Sequence, residues 1–237
     1  MRALILAAGR GERMRPLTDH TPKPLLAMGG KPLIEWHLEA LARAGVAEVV
    51  INTAWLEDQF PAVLGDGSRF GVRIRYSMEG RDHGGALETA GGIAKALPWL
   101  APHGDECFWV VSGDIYAPSF PFAAAAAAAF RLGDDLAHLW LVPNPPFHRD
   151  GDFHLDARGR VLRNGAGRPR TWTYANVALI RPHLVKHLHA GQRAGLGPLL
   201  FDAAEHGLLS GEAFDGIWEN VGTADQLLAL NHSLAAQ

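Results

Sequence analysis

Runs of apolar, largely β-branched residues recur along the chain at Ala3 to Leu6, Val49 to Asn52, Val72 to Tyr76, Phe108 to Ser112 and Leu136 to Val142. Most are continuously apolar and do not alternate with polar residues, as expected of strands buried on both faces. The period changes between them. Over Leu33 to Arg43, Ile34, Leu38 and Leu41 recur at i, i+4 and i+7 with Gly45 as a stop signal, which predicts a helix. Alternating strands and helices predict an α/β fold with a parallel sheet and right-handed crossovers.

The second half is less regular. A Pro- and Gly-rich stretch covers Pro143 to Gly151, strand-like pieces lie near Phe153 and Val161, and a longer one runs from Thr171 to Ile180. This reads as an extension of the sheet over the ligand side. Helical patterns at Leu196 to His206 and Ala224 to Leu234 close the chain. The alanines from Ala123 to Ala129, bracketed by Phe122 and Phe130, predict a helix of low entropic cost that need carry no function.

With 237 residues and no linker or composition shift, the whole of 1–237 is expected to form a single domain. Apolar residues make up 48% and charged residues 20%, the balance of a globular protein. The formal net charge of −3 offers no general attraction for nucleic acid or an anionic membrane, so a phosphate-bearing ligand must be held by a local constellation. The single cysteine, Cys107, lies in an apolar run without metal-ligand spacing, which is consistent with a reducing compartment. Neither a signal sequence nor a membrane-length apolar segment is legible, and the expected location is the cytoplasm, with no obligate protein partner evident.

The strongest motif follows the first strand: Ala7, Ala8, Gly9, Arg10, Gly11, Glu12, Arg13, Met14, Arg15, Pro16, Leu17, Thr18, then Thr21, Pro22, Lys23, Pro24, Leu25. Polyphosphate needs backbone amides that can approach closely and cations that neutralise it. Gly9 and Gly11 remove obstructing Cβ atoms, Arg13 offers a planar fork and Lys23 a compact point charge. Downstream, Asp114 ends Ser112-Gly113-Asp114 at the carboxyl edge of a strand, where a hard oxygen suits a divalent cation. Taken alone, Asp114 reads equally well as the cap of the next element.

The full string resembles the signature of the sugar-phosphate nucleotidylyltransferases, in which Gly-x-Gly-x-Arg runs into Pro-Leu-Thr and Pro-Lys-Pro. Glu12 stands where many members have Thr. The resemblance implies a Rossmann-like three-layer fold with a mainly parallel mixed sheet. It divides the chain into a nucleotide part over about 1–115, a sugar-phosphate part over about 116–225 and a C-terminal helix. It assigns Arg13 and Lys23 to the NTP phosphates and Ala8, Gly9, Arg10 and Gly11 to the nucleotide. It places Glu79, Glu88 and Thr89 near the nucleobase, although residues 81–85 look longer than in the usual pattern. It implies Mg²⁺ as cofactor, held by Asp114 and by Asn220 of Trp218-Glu219-Asn220-Val221-Gly222-Thr223, where the commonest pattern has Asp. A neutral amide oxygen keeps the geometry and loses charge.

Over essentially the whole chain the resemblance is to the short N-acetylmuramate α-1-phosphate uridylyltransferases of bacterial cell-wall recycling. It rests on Ile51-Asn52-Thr53-Ala54-Trp55-Leu56, Gly65 to Gly71, Glu88-Thr89-Ala90-Gly91-Gly92 and Gly151-Asp152-Phe153. UTP and a sugar 1-phosphate are the implied substrates. Asp152 and Asn176 are the candidates for sugar hydroxyls, and His148, Arg149, Arg163, Arg168 and Arg170 are the cations available to a lactyl carboxylate. Other hexose-1-phosphate nucleotidylyltransferases, a phosphocholine cytidylyltransferase using Trp172 and Tyr174, and a non-catalytic nucleotide-sugar sensor stay open.

Overall fold

The computed structural model describes residues 1–163 and 171–235. Strands β1 (Arg2–Leu6), β2 (Glu48–Thr53), β3 (Arg73–Met78), β4 (Phe108–Ser112), β5 (Ala137–Pro143), β6 (Trp172–Ile180) and β7 (Leu209–Ala213) form a seven-stranded sheet in the order β7-β5-β6-β4-β1-β2-β3. All run in one direction except β6, which is antiparallel to both β4 and β5. The sheet is therefore mixed and mainly parallel.

The continuous apolar runs bury both faces, because successive residues of a strand point to opposite sides. Ala3, Ile5, Val49, Ile51, Trp109, Val111, Val177 and Leu179 share one core with Ile34, Leu38 and Leu41 of helix α1 (Leu33–Arg43). Leu4, Val50, Phe108, Val110, Leu139, Leu141, Ala178 and Ile180 form the opposite core. Helices α2 (Glu88–Leu100) and α4 (Leu196–Glu205) cover it through Ile93, Ala96, Leu100, Leu196, Leu200 and Ala203. Helix α3 (Ala124–Leu132) is the alanine segment, anchored by buried Ala127 and Phe130. The Trp109 ring beside it packs on Phe122 with centroids 5.2 Å apart and on Trp140 at 4.9 Å.

Two elements depart from the sequence reading. Of residues 81–85, which look longer than in the usual pattern, the first three belong to a short helix at Glu79–His83 that stops at left-handed Gly84. Strand β7 was invisible because Leu-Ser-Gly-Glu-Ala lacks a strand pattern. Gly211 admits it to the sheet edge, since a Cβ there would lie 2.6 Å from the Leu139 carbonyl and 2.7 Å from Val161.

Three features position the site. The carboxyl ends of β1 and β4 lie side by side, with Gly113 N–H donating to Leu6 O at 2.8 Å. A two-residue strand at Glu219–Asn220 pairs antiparallel with Ile115–Tyr116, and Val221 N–H donates to Asp114 O at 3.0 Å. Finally, the register of β6 against β5 shifts between Tyr174 and Ala178, and Asn176 within this bulge has a left-handed φ of 59°. A bulge re-aims the residue it holds, and Asn tolerates this conformation better than most side chains. The last helix, α5 (Ala224–Ala235), begins just after this segment.

Candidate active site

The segment after β1 forms a cleft of about 550 Å³ lined by Leu6 to Arg13, Lys23, Pro24, Asn52, Ala86, Glu88, Thr89, Ser112, Asp114 and Gly222. The motif glycines act differently. Gly11 has φ of 64°, and a Cβ there would lie 2.9 Å from the Thr18 methyl and 3.2 Å from Lys23 Cβ, so the fold itself requires glycine. A Cβ on Gly9 would meet none of the described residues' atoms within 4 Å beyond its chain neighbours, so the fold itself does not require glycine there; the position borders the open cleft. Thr18 Oγ1 donates to Gly11 O at 2.8 Å, and Trp55 Nε1 donates to Thr18 O at 2.8 Å. The Trp55 ring also carries the Arg10 guanidinium, 4.3 Å from its centroid.

Arg13 stands in a short 3₁₀ turn, Glu12–Met14, and among the described residues no carboxylate pairs with it. It packs beside Gly222, where a Cβ would lie 3.6 Å from the guanidinium. Gly222 and Thr223 are in turn held by Gln226, whose Oε1 accepts both backbone N–H groups at 2.8 and 3.0 Å while Thr223 Oγ1 accepts from Gln226 N at 3.2 Å. This reciprocal cap at the start of α5 fixes the Trp218–Thr223 segment against the cleft.

Lys23 and Asp114, expected to serve phosphate and metal separately, form one ion pair with Nζ–Oδ2 2.8 Å. The Lys23 side chain is 8% exposed and that of Asp114 37%. A buried ammonium without phosphate requires such a partner. Asn220 presents a buried Oδ1 with no hydrogen-bond partner among the described residues, one residue from the Val221 N–H that holds the Asp114 backbone. A carboxylate and an amide oxygen on paired segments have the donor chemistry that would suit a hard divalent cation. No group of three or more His, Cys, Asp or Glu able to hold a metal occurs among the described residues. Beneath Asp114, buried His37 bonds through Nε2 to Ile115 O at 2.8 Å; burial pushes its pKa down to about 4 and keeps the ring neutral.

Glu79 requires a correction. It was expected at the nucleobase, but it is fully buried and is absent from the cleft lining. Its carboxylate accepts from Asn52 Nδ2 at 2.7 Å and from Leu87 N–H at 2.7 Å. Burial raises its pKa, while these two donors pull it down. Asn52, which sequence reasoning did not single out, does line the cleft. Glu88 and Thr89 line it as well, Glu88 with a left-handed φ of 60° and an Arg193 guanidinium 3.8 Å away. The Gly91-Gly92 pair is explained by space: a Cβ on Gly91 would strike Gln192 O at 2.3 Å, and one on Gly92 would strike Asn52 Nδ2 at 2.5 Å.

A second pocket of about 420 Å³ adjoins the first, sharing Arg13 and Thr89, and extends to Phe147, His148, Asp152, Tyr174, Asn176, Phe201, Trp218 and Asn220. It brings together Asp152 and Asn176, the two candidates for sugar hydroxyls, with Asn220, which was expected beside Asp114 at the metal; Asp114 lines the first cleft and Asn220 the second. Asp152 is heavily engaged: Oδ2 accepts from Tyr174 N–H and Oδ1 meets His148 Nε2, both at 2.9 Å. Trp218 Nε1 donates to Ala175 O at 2.8 Å and ties the last motif to the β6 bulge. Of the candidate cations, only His148 lines this pocket among the described residues. Arg149 bonds Pro146 O instead, and Arg163 pairs with Glu205 at 2.8 Å over the Phe201 ring. Arg168 and Arg170 lie outside the described residues.

Two adjoining compartments, one rich in phosphate-binding features and the other lined by aromatic and hydrogen-bonding groups, meet at Arg13 and Thr89. That is the geometry of a transferase passing a phosphate-linked group between two ligands. The nucleotidyl transferase family pattern matches residues 2–163, and the chain belongs to this family. It is 49% identical to the N-acetylmuramate alpha-1-phosphate uridylyltransferase of Neisseria meningitidis serogroup B over 96% of this chain and 95% of that one. It is 32% identical to the enzyme of the same name from Caulobacter vibrioides over 98% and 96%. Among solved structures, a Bacillus anthracis protein assigned as a glucose-1-phosphate thymidylyltransferase, in complex with a sucrose, superposes with a TM-score of 0.82, covering 99% of this chain and 95% of that one; at 21% identity it speaks for the fold.

Proposed function

We propose that the chain transfers a uridylyl group from UTP to N-acetylmuramate α-1-phosphate, releasing pyrophosphate, in the cytoplasm and in the service of cell-wall recycling. The reading is supported most by the junction of the two compartments at Arg13 and Thr89, together with near-full-length similarity to two relatives of that name. An oxygen of the sugar phosphate attacks the α-phosphorus of UTP. The new phosphorus–oxygen bond forms as the bond to the β-phosphate breaks, and pyrophosphate leaves.

No covalent intermediate with the protein is required. The residues align two anions and neutralise the charge that builds between them. Arg13, paired with no carboxylate among the described residues and at the compartment junction, holds phosphate oxygens through its fork. Lys23 turns from Asp114 to the triphosphate when the nucleotide is present. Asp114 and Asn220 would hold Mg²⁺, which when bound neutralises phosphate charge. The bare backbone at Gly9 lets the nucleotide lie against the loop. In the acceptor compartment, His148, oriented by Asp152, meets the lactyl carboxylate, and Asn176 meets the sugar hydroxyls.

A panel of NTPs against N-acetylmuramate α-1-phosphate, N-acetylglucosamine-1-phosphate, glucose-1-phosphate and phosphocholine, followed by pyrophosphate release, tests this. UTP with the muramate phosphate should give the highest kcat/KM. Equal values for the two amino-sugar phosphates would remove the assigned acceptor and spare the reaction class. Nucleotide binding without pyrophosphate release from any pair would make the chain a sensor.

A further inference from the structure

Two backbone N–H groups from different parts of the chain point into one buried space. Ala7 N–H comes from the end of β1 and Leu87 N–H from the turn before α2. Both are donors, so they cannot satisfy one another, and an unpaired buried donor is costly. Asn52 and Glu79 fill the space between them. Asn52 Oδ1 accepts from Ala7 N–H at 2.9 Å, Asn52 Nδ2 donates to Glu79 Oε1 at 2.7 Å, and Glu79 Oε2 accepts from Leu87 N–H at 2.7 Å. Asn52 is 2% exposed and Glu79 fully buried.

The order of the two side chains is dictated by chemistry. Turning the Asn52 amide over would set its NH₂ against the Ala7 N–H and its oxygen against the carboxylate, two repulsive contacts in place of two hydrogen bonds. Gly92 closes the relay from the side, since a Cβ there would lie 2.5 Å from Asn52 Nδ2 and 2.7 Å from Glu79 Oε1. Both ends of the relay carry the wall of the nucleotide cleft: Ala7 and Ala8 at one end, Ala86, Glu88 and Thr89 at the other.

We propose that Asn52 and Glu79 are positioning residues for the nucleotide: their polarised relay sets the spacing between the loop after β1 and the turn before α2, and so governs NTP affinity more than the chemical step. The proposal rests on the cleft being the nucleotide site. It replaces the expected contact between Glu79 and the base with an action through Asn52 and two backbone amides.

The test exchanges the roles of the two side chains. N52L removes both of Asn52's bonds. E79Q leaves one oxygen where two donors need acceptors, and N52D sets two carboxylates face to face. In N52D/E79Q the pattern is restored: Asp at 52 accepts from Ala7 N–H and from the Gln amide, and the Gln oxygen accepts from Leu87 N–H. UTP affinity is read by calorimetry, KM and kcat by pyrophosphate release, and folding by thermal melting. Each single variant should raise KM for UTP by about tenfold or more with kcat changed less than about threefold, and the double variant should recover to within about threefold of wild type. Folded single variants with wild-type UTP affinity would overturn the proposal. So would a double variant that melts like wild type yet binds UTP as poorly as the singles. If a single variant fails to fold, the double variant still decides. Failure of the wild-type chain to bind any NTP would instead overturn the cleft reading, and the proposal with it.

Discussion

The nucleotide compartment and the acceptor compartment are built by different means. The first comes largely from one continuous stretch, Leu6 to Lys23, whose shape is set by glycine conformation and short-range bonds such as Thr18 to Gly11 O. The second gathers Phe147, Asp152, Asn176, Phe201 and Trp218 from distant segments, and depends on a strand bulge and on the Trp218 bond to Ala175 O. A site made by one stretch can be recognised as a motif. A site made by register shows only scattered short segments, such as Gly151-Asp152-Phe153 and Trp218 to Thr223, whose members acquire a common place only when the strands are paired.

The sharpest way to break this contrast is at the Lys23–Asp114 ion pair of the nucleotide compartment and at Arg13, which both compartments share. Asp114→Asn should lower kcat/KM by about a hundredfold or more, as removal of a single preorganised charge does elsewhere, and Lys23→Ala and Arg13→Ala by at least about tenfold each. Asn220→Asp should lower the Mg²⁺ concentration needed for half-maximal pyrophosphate release and Asn220→Ala should raise it. An unchanged titration in all three metal-side variants would move the ion elsewhere.

A second test separates the halves by stability. His37 supports the nucleotide side through the Ile115 carbonyl. Its ring is held neutral in the fold with a pKa near 4, against 6.5 in the unfolded chain. The unfolded state therefore binds more protons between these values, and stability is lost as pH falls from about 6.5 toward 4. At pH 5 the loss amounts to roughly 2 kcal/mol. His37→Gln should flatten the melting-temperature profile across that window. A slope equal to that of wild type would place the responsible groups elsewhere.

The smallest effect distinguishes the two motif glycines. Gly11→Ala forces a side chain into a left-handed conformation against Thr18 and should cost about 1–2 kcal/mol of stability. Gly9→Ala should melt like wild type while weakening UTP binding, because a methyl group there borders the open cleft. A loss of stability in Gly9→Ala, or an unchanged UTP affinity, would contradict the division of labour between them.

Much of the architecture was legible because burial on both faces leaves a distinctive mark: Ile5, Ile51, Val111 and Val177 supply one core while Leu4, Val50, Val110 and Ala178 supply the other. The edge strand β7 left no such mark, since Ser210, Gly211 and Glu212 are admitted by a gap and not by hydrophobic pattern. In the site, the sequence pointed to Arg13, Lys23 and Asp114, which do line one cleft. It did not indicate that Lys23 and Asp114 would bond each other, nor that Glu79 would act through Asn52. Both facts depend on which strands become neighbours: β1 lies between β2 and β4, and this brings residues 7, 52 and 114 to one edge.

Arg13 and Thr89 belong to both compartments, and this limits how the molecule can diversify. A substitution at such a seam alters the fit of two ligands at once, so few changes there improve one without harming the other. The outer wall of the acceptor pocket, with half-exposed Phe147 and the loop around His148, touches one ligand only. New acceptors are therefore expected to be acquired from the periphery inward, with the seam inherited almost unaltered.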